Sequence, residues 1–68
     1  MKDKANIDQL RQDCIKAAVN AHNLCGSMTR AIHETALNDY GVRLSDNTLD
    51  QYLWAAHDEI DRIKKEIG

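Results

Sequence analysis

Proline and phenylalanine are absent from this 68-residue chain, which holds only three glycines, two cysteines and one tryptophan. Without proline, long helical segments run uninterrupted. With aromatic residues at 4% and Ala, Leu, Ile, Gln, Asp and Lys abundant, there is little material for strands. An all-α fold is expected. No basic start followed by an apolar run opens the sequence, and no apolar stretch nears the roughly 20 residues of a membrane span. A soluble, cytoplasmic chain without a membrane segment is therefore expected. Cys14 and Cys25 lie eleven residues apart in what reads as one helix, which separates their Cα atoms by roughly 16 Å and rules out a bridge within it. Free thiols are expected, with Cys14 buried and Cys25 partly buried.

Cations are also in short supply. The net charge is −2, and a generic nucleic-acid binder needs Lys and Arg to neutralise phosphates. The balance is uneven along the chain: residues 1 to 30 carry +2 and residues 31 to 68 carry −4. A chain of this length holds one core and buries only about 60% of the surface that its unfolded form exposes. With several alanines in that core, self-association into a homodimer is an expected source of further stability.

The helices can be read from capping residues and apolar spacing. Residues 1 to 5 read as a frayed start. Asn6 caps the first helix, with Gln9 in the capping-box position and Asp8 suited to the helix dipole. Ile7, Leu10, Cys14, Ala17, Ala21 and Leu24 then form a narrow seam, which Gly26 is expected to end. Ser27 caps a second helix from Met28 to about Tyr40, whose apolar side is Ile32, Ala36 and Tyr40 and whose stop is Gly41. Ser45 caps the third, longest helix, with Leu44 and Leu49 spaced as a hydrophobic staple. Leu49, Leu53, Ala56, Ile60, Ile63 and Ile67 form its seam, and Asp58 with Arg62 and Asp61 with Lys65 are expected surface pairs. Residues 1 to 68 thus read as a single domain, a small three-helix bundle with a long C-terminal helix and a helix-turn-helix-like order of elements.

At about 100° per residue, Trp54 falls far from the third helix's seam, on a side shared with Asp50, Asp58 and Asp61. An exposed tryptophan set among acids has the chemistry of an interface anchor steered by charge toward a basic partner. The residues expected to carry that contact are Asp46, Asp50, Gln51, Trp54, Asp58 and Asp61. Enzyme chemistry has no footing: a Gly-rich phosphate loop, a nucleophile elbow and a metalloprotease motif are all missing. His57 and Asp61, one turn apart, read as a surface pair, because nothing around them forms a pocket to tune an acid and a base. Cys14, His22, Cys25, His33 and His57 have no paired close spacing of the kind structural zinc sites use. No metal and no cofactor are expected.

The run SMTRAIHETALNDYGVRLSDNTLDQYLWAA resembles a helix-turn-helix: a helix, a short glycine-containing connection, then a capped helix with Leu49 and Leu53 facing inward. Its LSDNTLDQYL is similar to the start of recognition helices in small bacterial and phage repressors. The resemblance implies base reading by Asp46, Asn47, Thr48, Asp50 and Gln51, with Arg30 and Arg43 near phosphates. This set is poor in the cations that make most base and phosphate contacts, and Asp50, Asp58 and Asp61 would be repelled by a duplex. A second segment, LSDNTLDQYLWAAHDEIDRI, resembles the third-helix segment of the Hha/YmoA family of nucleoid-associated regulators in Leu44, Ser45, Asp46, Asn47, Leu49, Ala55 and Ala56. The family's Asp-His order is reversed here as His57-Asp58. Members of that family are small helical proteins acting through a nucleoid protein partner, so this likeness implies a helix that serves a protein partner. The expected function is a non-enzymatic regulatory or inhibitory module of phage or mobile-element setting. It would act on a protein with a basic surface, including nucleic-acid-binding proteins. The alternative is a dimeric helix-turn-helix DNA-binding regulator.

Overall fold

The computed structural model describes residues 5–67, with the side chain of Ile67 excepted. Three helices follow one another: α1 (Ile7–Asn23), α2 (Met28–Tyr40) and α3 (Asp46–Ile67). They form an all-α bundle measuring 37 × 21 × 21 Å. Its long axis follows from α3, whose 22 residues span about 33 Å at 1.5 Å each. α1 is the central partner: it packs most extensively on α2, then on α3, while α2 and α3 touch least. The expectations for residues 1 to 4 and for the Ile67 side chain lie outside the described residues.

Each helix starts at the residue its sequence marks. Asn6 accepts from the Gln9 amide at 3.1 Å, Ser27 from the Arg30 amide at 3.2 Å, and Ser45 from the Thr48 amide at 3.3 Å. Each bond satisfies an amide that the first helical turn leaves open, and is worth about 0.5–2 kcal/mol. The Gln9 side chain, expected to complete a capping box, instead donates onward to the Asp13 carboxylate at 2.9 Å.

The end of α1 departs from expectation. The left-handed residue is Cys25 (φ 58°), with Gly26 following it. The Cys25 amide donates to His22 O at 3.1 Å and the Gly26 amide to Ala21 O at 2.7 Å, the paired bonds of a Schellman stop. A Cβ on Gly26 would meet Ala21 O at 3.4 Å, an ordinary contact, so the turn does not depend on a glycine at that position. This turn also carries Cys25 off the helix into solvent, so the thiol is exposed where partial burial was expected. α2 ends on the expected glycine: Gly41 has φ 67°, and its amide donates to Leu37 O at 2.9 Å.

The core comprises Leu10, Cys14 and Ala18 from α1, Ile32, Ala36 and Tyr40 from α2, and Leu49, Tyr52, Ala56 and Ile60 from α3. Three alanines at the helix contacts let the backbones approach closely, and Tyr40, Ile32 and Cys14 are the largest side chains buried completely. Full burial of each large apolar side chain contributes about 1.5–3 kcal/mol. The α2 face is the expected one, and Leu44 and Leu49 both join the same cluster, as a staple requires. Two seams are corrected. On α1, Ile7 and Leu24 are exposed and Ala18, not Ala17, is fully buried. On α3, Tyr52 belongs to the core, Leu53 packs at its margin, and Ile63 is 36% exposed. The cause is common to both helices. A helix flanked by two neighbours buries a broad face, and the position of the second neighbour rotates that face away from the best apolar line.

Among the described residues, no helix is long and apolar enough to cross a membrane.

Candidate interaction face on the third helix

Asp46, Asp50, Trp54, Asp58 and Asp61 follow one another at helical steps of four, four, four and three residues along α3. The core takes up the other side of this helix, through Leu49, Tyr52, Ala56 and Ile60, and thereby turns this row outward. All five side chains are exposed, as is Gln51. Trp54 stands out among them at 73% exposure, the largest side chain in the protein left almost wholly in solvent. Asp50 and Asp58 flank it by one turn on either side, and neither they nor Asp61 form an ion pair among the described residues.

The expected helix-surface pairs are redistributed. Arg62 donates to both carboxylate oxygens of Glu59, one turn earlier, in place of Asp58. Asp61 and Lys65 do not pair, and neither do His57 and Asp61. Arg62 is thus drawn to Glu59, and Asp50, Asp58 and Asp61 stay exposed without an ion-pair partner among the described residues. Two residues that spacing did not single out complete the surface. Leu53 and His57 line a shallow depression with Asp50 and Trp54. Position i+3 from Trp54 could have pointed to His57, whereas Leu53 was assigned wholly to the core seam.

The residues of the helix-turn-helix reading are dispersed differently. Asn47 and Gln51 are exposed on α3, and Arg43 is exposed in the connection. The Thr48 hydroxyl accepts from Ser45 Oγ at 3.0 Å and is tied to the helix start. Arg30 is held by Glu34 at 2.9 Å, one turn along α2. The connection between α2 and α3 runs over residues 41–45, five residues where the DNA-binding motif uses a turn of three or four.

Elsewhere the titratable groups serve the fold. Cys14 is fully buried, and its thiol approaches Ile32 O at 3.8 Å. Burial, with lesser help from Asp13 and Asp39, pushes its pKa up to about 11, so it stays a neutral thiol. Tyr40 is raised to about 12 by burial and by the Asp13 carboxylate that its hydroxyl meets. Burial likewise raises Tyr52. Among the described residues, no three His, Cys, Asp or Glu side chains gather into a cluster that could hold a metal ion. Compared with protein families, curated proteins and solved structures, the chain matches none.

Proposed function

We propose that this chain is a non-enzymatic regulatory or inhibitory module that binds a protein partner with a basic surface through the Trp54 face of α3. One observation carries the reading: Trp54 is 73% exposed and bracketed by unpaired Asp50 and Asp58. Leaving an indole in water forgoes the burial that usually places tryptophan inside or at an interface, and tryptophan is enriched among residues that dominate binding energy. The surrounding carboxylates supply long-range attraction to cations and repel duplex DNA. Proteins that bind nucleic acids present basic grooves of the kind such a face would occupy. The helix-turn-helix alternative has less support, because Asp46 and Asp50 occupy the start of the would-be reading helix and Arg30 is matched by Glu34.

Two measurements separate these readings. Capture from a lysate should enrich basic proteins, and should be lost with Trp54→Ala and with the Asp50→Lys/Asp58→Lys double variant. Titration with duplex DNA should show no tight, salt-sensitive binding. A steep salt slope reporting several released counterions would instead establish the DNA-binding regulator.

A further inference from the structure

A second surface lies on the opposite side of α3, where α1 and α3 leave a groove between them. Arg11, Ile15 and Val19 are spaced four apart and line one wall along α1, with Lys16 beside them, while Glu59 and Ile63 line the other from α3. Its floor is apolar: Ile15 and Val19 are half-buried against the core, and Ile63 is 36% exposed. Its rim is positive. Arg11 and Lys16 are exposed and form no ion pair among the described residues, whereas the charge of Glu59 is matched by Arg62. An apolar floor under a cationic rim calls for an acidic helix carrying one large apolar side chain between carboxylates. The chain itself carries that element in Asp50, Trp54 and Asp58.

We infer that the α1–α3 groove receives the Trp54 face of a second copy of this chain. Trp54 would cover Ile15, Val19 and Ile63, and Asp50 and Asp58 would face Lys16 and Arg11. This rests on the reading of the Trp54 face as a contact surface and names one partner for it. Asp50 and Asp58 are about 12 Å apart along their helix, while Arg11 and Lys16 are about 7.5 Å apart along theirs and about 140° apart around it, so the two cations flank Ile15 and Val19 from either side and reach the carboxylates with their long side chains. Symmetry then sets the form of assembly. Trp54 and Ile63 are nine residues apart, which at about 100° per residue places them on opposite sides of α3. A face and a groove that point in opposite directions make a head-to-tail contact, which adds copies in a row and does not close as a two-fold dimer. Groove-to-groove pairing would instead bring Arg11 and Lys16 of both copies together.

The test is light scattering with tryptophan emission on the full chain from about 1 μM to about 1 mM, the range of weak to moderate affinity. Mass should rise with concentration, and Trp54 emission should move to shorter wavelength over the same range. Arg11→Glu/Lys16→Glu and Trp54→Ala should each weaken association about tenfold or more. All three positions are exposed, so far-ultraviolet circular dichroism should be unchanged. Mixed in equal amounts, the two variants should associate again and stop at two copies, because one retains a working face and the other a working groove. A wild type that stays monomeric throughout overturns the inference, as does a Trp54→Ala variant that still self-associates. If capture of basic proteins remains Trp54-dependent in either case, only the self-docking is overturned. If that capture fails as well, the Trp54 face itself is refuted.

Discussion

The Tyr40 hydroxyl, at the end of α2, donates to the Asp13 carboxylate of α1, 27 residues earlier in the chain. Asp13 also accepts from Gln9, so one half-buried carboxylate joins the first turns of α1 to the last residue of α2. Tyr40 is fully buried, and this bond gives its hydroxyl a partner where water cannot reach. Tyr40→Phe should therefore cost about 1.5–3 kcal/mol, the usual net value of a hydrogen bond to a charged group. Tyr40→Ala should cost about 3–5 kcal/mol through the cavity it leaves. Urea unfolding of both variants checks this, and equal losses would show that the ring's packing contributes nothing.

Alkaline pH should unfold the protein. Tyr40 is raised from 10.0 to about 12 and Cys14 from 9.0 to about 11, so folding favours the protonated form of each. Their contributions are complete below pH 9 for Cys14 and below pH 10 for Tyr40. They are lost as pH rises through 11 and 12 respectively. Thermal melts between pH 8 and pH 12 should show Tm level at first, then falling from about pH 9 upward. A Tm that holds level to pH 12 would contradict the burial of both groups.

The two thiols should differ sharply in reactivity. Cys25 is exposed and Cys14 is buried with a raised pKa. An aromatic disulfide reagent at pH 8 should modify one thiol per chain quickly and the second only in denaturant. Two fast equivalents would show that the α1–α2 contact opens readily.

Cys25→Gly should stabilise the fold. A non-glycine residue at φ 58° meets its own carbonyl oxygen, at a cost of roughly 1–2 kcal/mol that glycine avoids. Glycine's greater freedom in the unfolded chain offsets part of this, leaving a gain of about 0.5–1 kcal/mol. Chemical denaturation would measure it, and a loss of stability would mean that the thiol side chain makes contacts that outweigh the strain.

Trp54→Ala should leave stability within about 0.5 kcal/mol of the parent, as surface substitutions do, while removing partner capture. In the parent at low concentration, acrylamide should quench the indole as it does free tryptophan. Protection from quenching under those conditions would place the ring against the protein.

The helices and their starting points were legible in the sequence because capping is local. Asn6, Ser27 and Ser45 each bond an amide three residues ahead, and no distant group is needed to form that contact. The outward side of Trp54 was legible for the same reason, since helix periodicity places it opposite Leu49 and Ala56 whatever packs there. The exact faces were not legible. Tyr52 in place of Leu53, and Ala18 in place of Ala17, follow from where two neighbouring helices lie, which spacing within one helix does not specify.

The sequence by itself determined three helices, their order, their caps and an acidic row with one tryptophan, all set by contacts within a few residues. The tertiary structure alone decided the rest. It paired Tyr40 with Asp13 across 27 residues and opened a cationic groove between α1 and α3. The left-handed turn on Cys25 and the choice of Glu59 by Arg62 are local too, but spacing offers two neighbouring solutions for each, whereas helix-to-helix contacts have no counterpart in spacing along one helix.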